Sequence, residues 1–485
     1  VQTFYWHDYE TWGVDPSRDR PCQFAGIRTD LDFNIIGEPL VQYCQPPPDL
    51  LPHPDACLIT GITPQLAQAE GLPENQFIAA IQRELSAPGT CGVGYNSLRF
   101  DDEVTRYTLY RNFHDPYARE WQNGNSRWDI IDMVRACRAL RPDGIEWPDD
   151  EDGKPSFRLE RLTAANGIVH AAAHDALSDV YATIAVARLI KSKQPKLFDY
   201  LYNLRNKREV LALLNLADKK PVLHISGMFG TERGCAALVM PLAQHPVNAN
   251  EIICYDLSVD PSELLELDAE SIRQRLFVAR DALAGERIAL KTIRANRCPV
   301  VGTDRLVDET IARRLKIDRE ACARHHQQLL RARDLAAKLR DVFVAPTREE
   351  IADPERMLYS GGFFSAADRL AMQSVCKADG DALAHHSFVF EDRRLPELLW
   401  RYRARNFPET LSADEREDWR EFCHSRLTDP AAGAGIVLDA YRKRLSELEA
   451  MPQTEIKKQL LRELEHYADD LMGRVGGRPG SESRL

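Results

Sequence analysis

Residues 3–11 read Thr3-Phe4-Tyr5-Trp6-His7-Asp8-Tyr9-Glu10-Thr11. The apolar and aromatic run from 3 to 9 predicts a buried strand. Side chains alternate across a strand, so Asp8 and Glu10 project from one face. Two carboxylates inside an aromatic strand are costly to bury unless a cation neutralises them. Hard oxygen ligands of this kind suit magnesium or manganese. A strand-end acidic pair facing water fits the same two residues equally well.

Beyond this strand, the pattern predicts further strands at 23–29, 33–36 and 40–44, joined by tight turns near Gly37 and ended by Pro46-Pro47-Pro48. Thr60 to Pro64 reads as a helix entry, 74–85 as a helix and 90–95 as a strand. A long amphipathic segment runs from 101 to about 113, and 173–190 is strongly helical. Strands first, then strands alternating with helices, imply a mixed α/β sheet domain over residues 1–190. Residues 195–208 read as a basic, aromatic linker. Short β-like runs at 222–226, 236–240, 252–257 and 288–293 suit a small barrel, in a segment 195–348 whose later part is helical. Residues 350–472 are mostly helical, with turns at Gly361-Gly362 and at 431–435. The Gly/Arg/Ser-rich stretch 473–485 reads as disordered. No internal repeat is visible, and three domains are expected.

Composition narrows the class. The 485 residues are 44% hydrophobic and 28% charged, which excludes a disordered chain, a collagen-like repeat and a disulfide-stapled mini-protein. Lys plus Arg is 63 and Asp plus Glu 74, a net charge of −11. That balance argues against blanket nucleic-acid affinity but leaves room for a local basic groove. The 11 cysteines are scattered singly and without metal spacing, which reads as free thiols in a reducing cytoplasm. No apolar run approaches the ~18 residues of a membrane helix, and no secretory signal is visible.

Two more acidic elements follow the first. Asn96-Ser97-Leu98-Arg99-Phe100-Asp101 is a polar turn leading into a helix, where the helix dipole tolerates the charge of Asp101. Taken alone, Asp101 reads first as an N-cap, and with Asp102 and Glu103 following directly, pattern leaves open which carboxylate faces a site. His174-Asp175-Ala176-Leu177-Ser178-Asp179 opens the last helix of the first domain. His174 and Asp179 can share a cleft, or stand as a helix-start histidine and a solvated acid. Asp175 is then the capping or first-turn residue.

Together, in this order, the three elements resemble the DEDD exonucleases of the DEDDh subgroup. Asp8-x-Glu10, Asn96-x3-Phe100-Asp101 and His174-x4-Asp179 correspond to its three motifs. HDYETWG (7–13), DRPCQFAGIRTD (19–30), LITGITPQ (58–65), GYNSLRFDDEVTR (94–106), SFRLERLTAANGI (156–168), HISGMFG (224–230) and YRARNFP (402–408) resemble bacterial exonuclease I over nearly the whole chain. The resemblance implies an RNase H-like exonuclease domain, an SH3-like barrel and a helical C-terminal domain. It implies 3′→5′ degradation of single-stranded DNA by two-metal hydrolysis, with two Mg2+ ions and Mn2+ as a substitute. Asp8 would bridge both ions, Glu10, Asp101 and Asp179 would complete their shells, and His174 would be the general base. An imidazole suits that role because it titrates near working pH. The family also docks the acidic C-terminal tail of single-stranded DNA-binding protein. A monomer is expected. A 3′→5′ exoribonuclease shares the same five residues, and an inactive clamp for single strands is the reading from another class.

Basic charge interleaved with aromatics marks where a strand could lie. Residues 191–208 carry six basic residues against one acid, with Phe198, Tyr200 and Tyr202 between them. Residues 99–141 carry eight Arg and seven acids, with several Tyr and Trp. Arg is suited to phosphate by its bidentate fork. Arg106, Tyr117, Trp121, Arg135, Arg158 and Lys207 are the candidate strand contacts, with Glu10 also facing the substrate. Solvated linkers and paired structural charge are the alternatives in both stretches. Arg401-Tyr402-Arg403-Ala404-Arg405 reads as an interdomain face rather than a direct contact.

Overall fold

Strands β1 (Thr3–Thr11), β2 (Pro21–Thr29), β3 (Ile35–Tyr43), β4 (Thr90–Gly94) and β5 (Ser126–Asp129) form a sheet in the order β3-β2-β1-β4-β5. The computed structural model describes residues 2–170, 174–278, 283, 286–344 and 351–476. β1 is antiparallel to β2 and parallel to β4, so the sheet is mixed, as expected. A single strand β3 replaces the two short ones read at 33–36 and 40–44. Gly37, at φ 76°, does not reverse the chain, and the β2–β3 register instead slips between Gly26 and Arg28. A residue with positive φ inside a paired strand marks a bulge, which sequence reads easily as a turn.

The helices of this region are α1 (Pro54–Thr60), α2 (Pro64–Glu70), α3 (Glu74–Leu85), α4 (Asp101–Arg111), α5 (Ile130–Leu140), α6 (Leu159–Ala165) and α7 (Ala176–Lys193). Thr63 caps α2 by accepting the Leu66 N–H, with Pro64 in the first turn. Phe77, Ile78, Ile81 and Leu85 recur at helical spacing on α3 and pack with Tyr5, Tyr9 and Phe24. This leaves Phe4, Trp6, Asp8 and Glu10 on the opposite face of β1.

By packing, the chain forms two compact units: Val1–Ser126, Ala171–Tyr181 and Glu350–Leu485 in one, Arg127–His170 and Ala182–Glu349 in the other. In the first, the C-terminal helices Arg394–Asn406, Ala413–Thr428, Leu438–Glu449 and Glu455–Gly476 share a core with the start of the chain. Trp12, Cys22, Leu50, Leu51 and Cys57 pack there with Trp419, Tyr441, Leu461 and Leu464. The final helix reaches Gly476, so the tail read as disordered from 473 begins as helix, and 477–485 lie outside the described residues.

In the second unit, β6 (Val222–Ile225), β7 (Ala236–Gln244), β8 (Glu251–Asp256), β9 (Leu290–Arg294) and β10 (Val300–Thr303) form an antiparallel sheet ordered β10-β6-β7-β8-β9. The closing strand β10 has no counterpart in the sequence reading. The expected linker at 195–208 is instead largely helical: α8 (Pro195–Asn203) and the start of α9 (Lys207–Leu213). Phe198 and Leu201, three apart on α8, are buried. Phe198 meets Trp128 edge-on at 5.1 Å, and Tyr202 lies 5.3 Å from the same indole. Phe198 is therefore a core side chain and Tyr202 is half-buried beside it, while Lys191 and Arg205 lie over these rings and Lys193, Lys196, Lys207 and Arg208 are exposed.

Candidate active site

Asp8 and Glu10 leave β1 two residues apart on one face. Asp179 comes from the first turn of α7, where Asp175 caps the helix by accepting the Ser178 N–H at 3.0 Å. One ligand atom each from Asp8, Glu10 and Asp179 lie within 4.8 Å of one another. Three oxygens at this separation match the donor set of a hard divalent cation.

Asp101 arrives from the other side. Gly94 ends β4 where an added Cβ would sit 2.7 Å from Ser97 Cβ and 2.9 Å from the His7 carbonyl. Asn96 follows in the left-handed region at φ 63°, and the chain turns into α4 with Asp101 as its first residue. Asp101 Oδ1 accepts the backbone N–H of Tyr9 at 3.0 Å, the residue between Asp8 and Glu10. Thr105 holds the same turn from within, donating to the Asp101 carbonyl at 2.8 Å. The alternative reading of Asp101 as an N-cap is not what the structure shows. Phe100 stands at the N-cap position, and Asp101 lies inside the helix with its carboxylate turned to the strand.

Asp102 points elsewhere. It is buried against Arg119, whose guanidinium lies 2.6 Å from its Oδ1. The neighbouring His7, buried on the other face of β1 from Asp8, is driven down to about 4 by its burial. The ambiguity between Asp101 and Asp102 thus resolves in geometry, with only Asp101 beside the acidic cluster.

His174 is exposed and takes a left-handed backbone, φ 66°, with its N–H donating to Asp179 Oδ2 at 3.2 Å. Backbone in that region is uncommon for a side chain of this size and is maintained by surrounding contacts. The adjoining residues 171–173 lie outside the described residues.

The electrostatics are those of a buried acid cluster. Burial first, then Asp179, Asp101 and Asp175, push the Glu10 carboxyl up to about 8. Burial, then Asp101, Glu10, Asp179 and Asp175, hold Asp8 well above the ordinary carboxylate range. The leading charges acting on the two groups, among the described residues, are all acidic. The residues therefore fit a divalent metal in number, in donor type and in unmet charge.

The candidate strand contacts are placed unevenly. Trp121 is 66% exposed. Tyr117 is covered by the Arg106 guanidinium, 5.3 Å from its ring centroid. Arg106 is buried, with Glu120 at 2.7 Å, Glu103 at 3.0 Å and the Tyr359 hydroxyl at 2.9 Å around it. Its charge is neutralised inside the fold, the paired-charge alternative. In the second unit, Arg135 is paired with Asp132 and lies 5.8 Å from the Phe157 ring centroid. Arg158 is exposed just before α6, and Lys207 is exposed at the start of α9 with its Nζ 3.5 Å from Asn250 Oδ1.

Sequence reasoning missed Gln23. It is buried on β2, opposite Glu10 in the β1–β2 register, and reaches the first turn of α7. A buried amide in a strand next to an acidic motif was the available signal.

Three family models match the chain in succession: "Exonuclease" over residues 5–187, "Exonuclease I SH3-like domain" over 205–345 and "Exonuclease I C-terminal domain" over 352–471. Exodeoxyribonuclease I of Escherichia coli (strain K12) is 46% identical over 472 residues, covering 97% of this chain and 98% of that protein. Exodeoxyribonuclease I of Haemophilus influenzae is 44% identical over 474 residues, covering 97% and 99%. Among solved structures, an exonuclease I from Methylocaldum szegediense superposes with a TM-score of 0.94 at 52% identity, covering 97% of this chain and 100% of that one. E. coli exonuclease I in complex with a dA16 oligonucleotide gives 0.93 at 47% identity, with the same coverage. A zinc-bound form of the E. coli enzyme with single-stranded DNA gives 0.92 at 46% identity, covering 97% and 99%.

Proposed function

We propose that this chain, which belongs to the exonuclease I family and is a nuclease hydrolase, degrades single-stranded DNA from the 3′ end to 5′-mononucleotides. The observation that carries this reading is the convergence of Asp8, Glu10 and Asp179 within 4.8 Å, with Asp101 fastened to the strand between the first two. Asp8, Glu10, Asp101 and Asp179 would hold two divalent ions, magnesium in the working enzyme and manganese as a substitute. Bound there, the ions supply Lewis-acid activation of water and charge stabilisation at the leaving oxygen. The residues' own work is to fix a dense negative pocket, which binds a phosphodiester only when the cations offset it. His174 takes the proton from the attacking water, its backbone fastened to Asp179.

Trp121, exposed, is suited to stacking on an unpaired base, and Arg158 and Lys207 to phosphates. Tyr117 and Arg135 offer a ring and a guanidinium that are each partly engaged within the fold. Arg106 is assigned to the fold instead. The exonuclease work is placed in residues 1–190, with the SH3-like segment 195–348 and the helical segment 350–472 supporting the strand. Removal of single-stranded 3′ ends is chemistry that DNA repair and recombination require. The acidic tail of single-stranded DNA-binding protein is the partner this family membership suggests. None of the 11 cysteines is joined in a disulfide, which supports a reducing, cytoplasmic setting; the chain works as a monomer.

The test uses 5′-labelled DNA and RNA oligomers, single-stranded or blunt duplex, with magnesium or EDTA. A descending ladder from single-stranded DNA in magnesium alone is the expected result. Equal degradation of RNA would favour the exoribonuclease reading, and binding without cleavage the inactive clamp.

A further inference from the structure

We propose that Gln23 is a positioning residue that holds the start of α7, and with it Asp179, at a fixed distance from the strand bearing Asp8 and Glu10. The inference rests on the metal-dependent reading above and names the device that keeps its two halves in register.

Gln23 is the Cα partner of Glu10 in the antiparallel β1–β2 pair and of Tyr43 in the β2–β3 pair. Paired residues share a face, so Gln23 lies on the face of the sheet that carries the carboxylates. It is 3% exposed, and a buried amide needs partners for both its ends. Its Oε1 accepts the backbone N–H of Ala176 at 3.4 Å, and Tyr43 is its neighbour across the β2–β3 pair.

The first N–H groups of a helix have no partner within it. On α7 the Ser178 N–H is taken by Asp175, three residues before it. The Ala176 N–H is taken instead by a side chain from the sheet, 153 positions away in sequence. Ala176 is the first residue of α7 and Asp179 follows one turn on, while His174 leans on Asp179 through its backbone. One hydrogen bond thus joins the strand holding two carboxylates to the element holding the third and the histidine. The four acids repel one another, so a link between sheet and helix that carries no negative charge of its own serves best. Gln23 does this without adding to the negative charge, which a glutamate would.

The experiment compares wild type, Gln23→Leu and Gln23→Glu in three readouts. Hydrogen exchange should show the Ala176 amide protected in wild type, at least tenfold faster in Gln23→Leu and protected again in Gln23→Glu. The Mn2+ concentration giving half of the maximal thermal shift should rise about tenfold in Gln23→Leu. On a single-stranded oligomer, kcat should fall at least tenfold in Gln23→Leu with KM within twofold. An unprotected Ala176 amide in the wild type would overturn the tether even if no variant folds. Manganese midpoint and kcat within twofold of wild type in Gln23→Leu would overturn the positioning role. Absence of any Mn2+-induced thermal shift in the wild type would instead sink the metal reading on which it rests, and would show at once which of the two had failed.

Discussion

Asp101 and Asp102 are identical side chains on adjacent residues with opposite surroundings. Asp101 accepts the Tyr9 N–H beside the acid cluster, whereas Asp102 is buried in an ion pair with Arg119. Asp101→Asn should therefore cut turnover at least tenfold and leave the melting temperature within a degree or two. Asp102→Asn should leave the buried Arg119 guanidinium with only the more distant Glu120, at 4.0 Å, and cost up to about 3–5 kcal/mol of stability. Paired thermal melts and oligomer digestion check both, and a stable, active Asp102→Asn would contradict the assignment. His174→Ala should lower turnover by a factor on the order of 10²–10⁴, with single-strand affinity little changed, read by single-turnover kinetics against a binding isotherm. At this scale the motif spacing made Asp8, Glu10 and Asp179 legible, because period two in a strand and the opening turn of a helix are local facts. Which member of the Asp101-Asp102 pair faces the cluster depends on where α4 meets β1, a tertiary fact that no local pattern carries. Gln23 offered only an amide within a strand as a signal, and its reach to α7 is a tertiary fact of the same kind.

At the scale of elements, the first unit is held by an ion network that sequence showed only as scattered charge. Arg20 pairs with Glu74 at 3.1 Å and Glu355 at 3.0 Å, Arg111 with Glu74 at 2.7 Å, and Arg405 with Asp49 at 2.8 Å and with Glu355. Arg401 and Arg426 close it through Asp353 at 2.8 and 2.9 Å. The cluster at 401–405, read as an interdomain face, is this buried joint between the C-terminal helices and the start of the chain. Burial acts to raise these carboxyls, yet the flanking guanidiniums win: Glu74 is brought down to about 2, and Asp49 and Glu355 lie well below the ordinary range. A carboxyl depressed in the folded state adds stability above its unfolded pKa and loses it as pH falls through the folded one. The melting temperature should hold near neutral pH and drop steeply as pH falls from about 4.5 towards 2. Glu74→Gln should flatten that drop while lowering the plateau, as pH-dependent calorimetry can check. The helix at 195–203 was misread as a linker for a related reason: its polar, basic face dominates the composition, and only two residues, Phe198 and Leu201, mark its buried side.

The site's acids have the opposite linkage, and it reaches the whole molecule. Glu10 is raised to about 8 and Asp8 is raised well above its usual range, so the folded chain holds protons there that the unfolded chain releases. Stability from these groups is present at low pH and declines as pH rises through the folded values. A divalent cation should reverse the loss, because ligands must be deprotonated to bind it. The Mn2+-induced rise in melting temperature should therefore be larger at pH 8.5 than at pH 6, and EDTA should abolish it at both. An equal rise at the two values would mean that the cation sits elsewhere.

A net charge of −11 means that the molecule as a whole repels DNA, so capture depends on local cations and exposed rings. On the proposed reading Lys207 and Arg158, both exposed, would supply such charge and Trp121, 66% exposed, such a ring. A single strand offers unstacked bases to the ring and flexible phosphates to the cations, whereas a duplex has its bases already stacked. Trp121→Ala should thus weaken single-strand binding by ~1–3 kcal/mol. Lys207→Ala should flatten the dependence of log K on log salt by about 0.7, the value for neutralising one phosphate of a single strand. Both should leave the chemical step unchanged at saturating strand, since neither residue belongs to the acid cluster. Fluorescence titrations of an oligomer from low to high salt, paired with single-turnover digestion, measure the two effects separately. A salt slope unchanged in Lys207→Ala would remove that lysine from the strand path, and duplex cleaved as fast as single strand would remove the path itself.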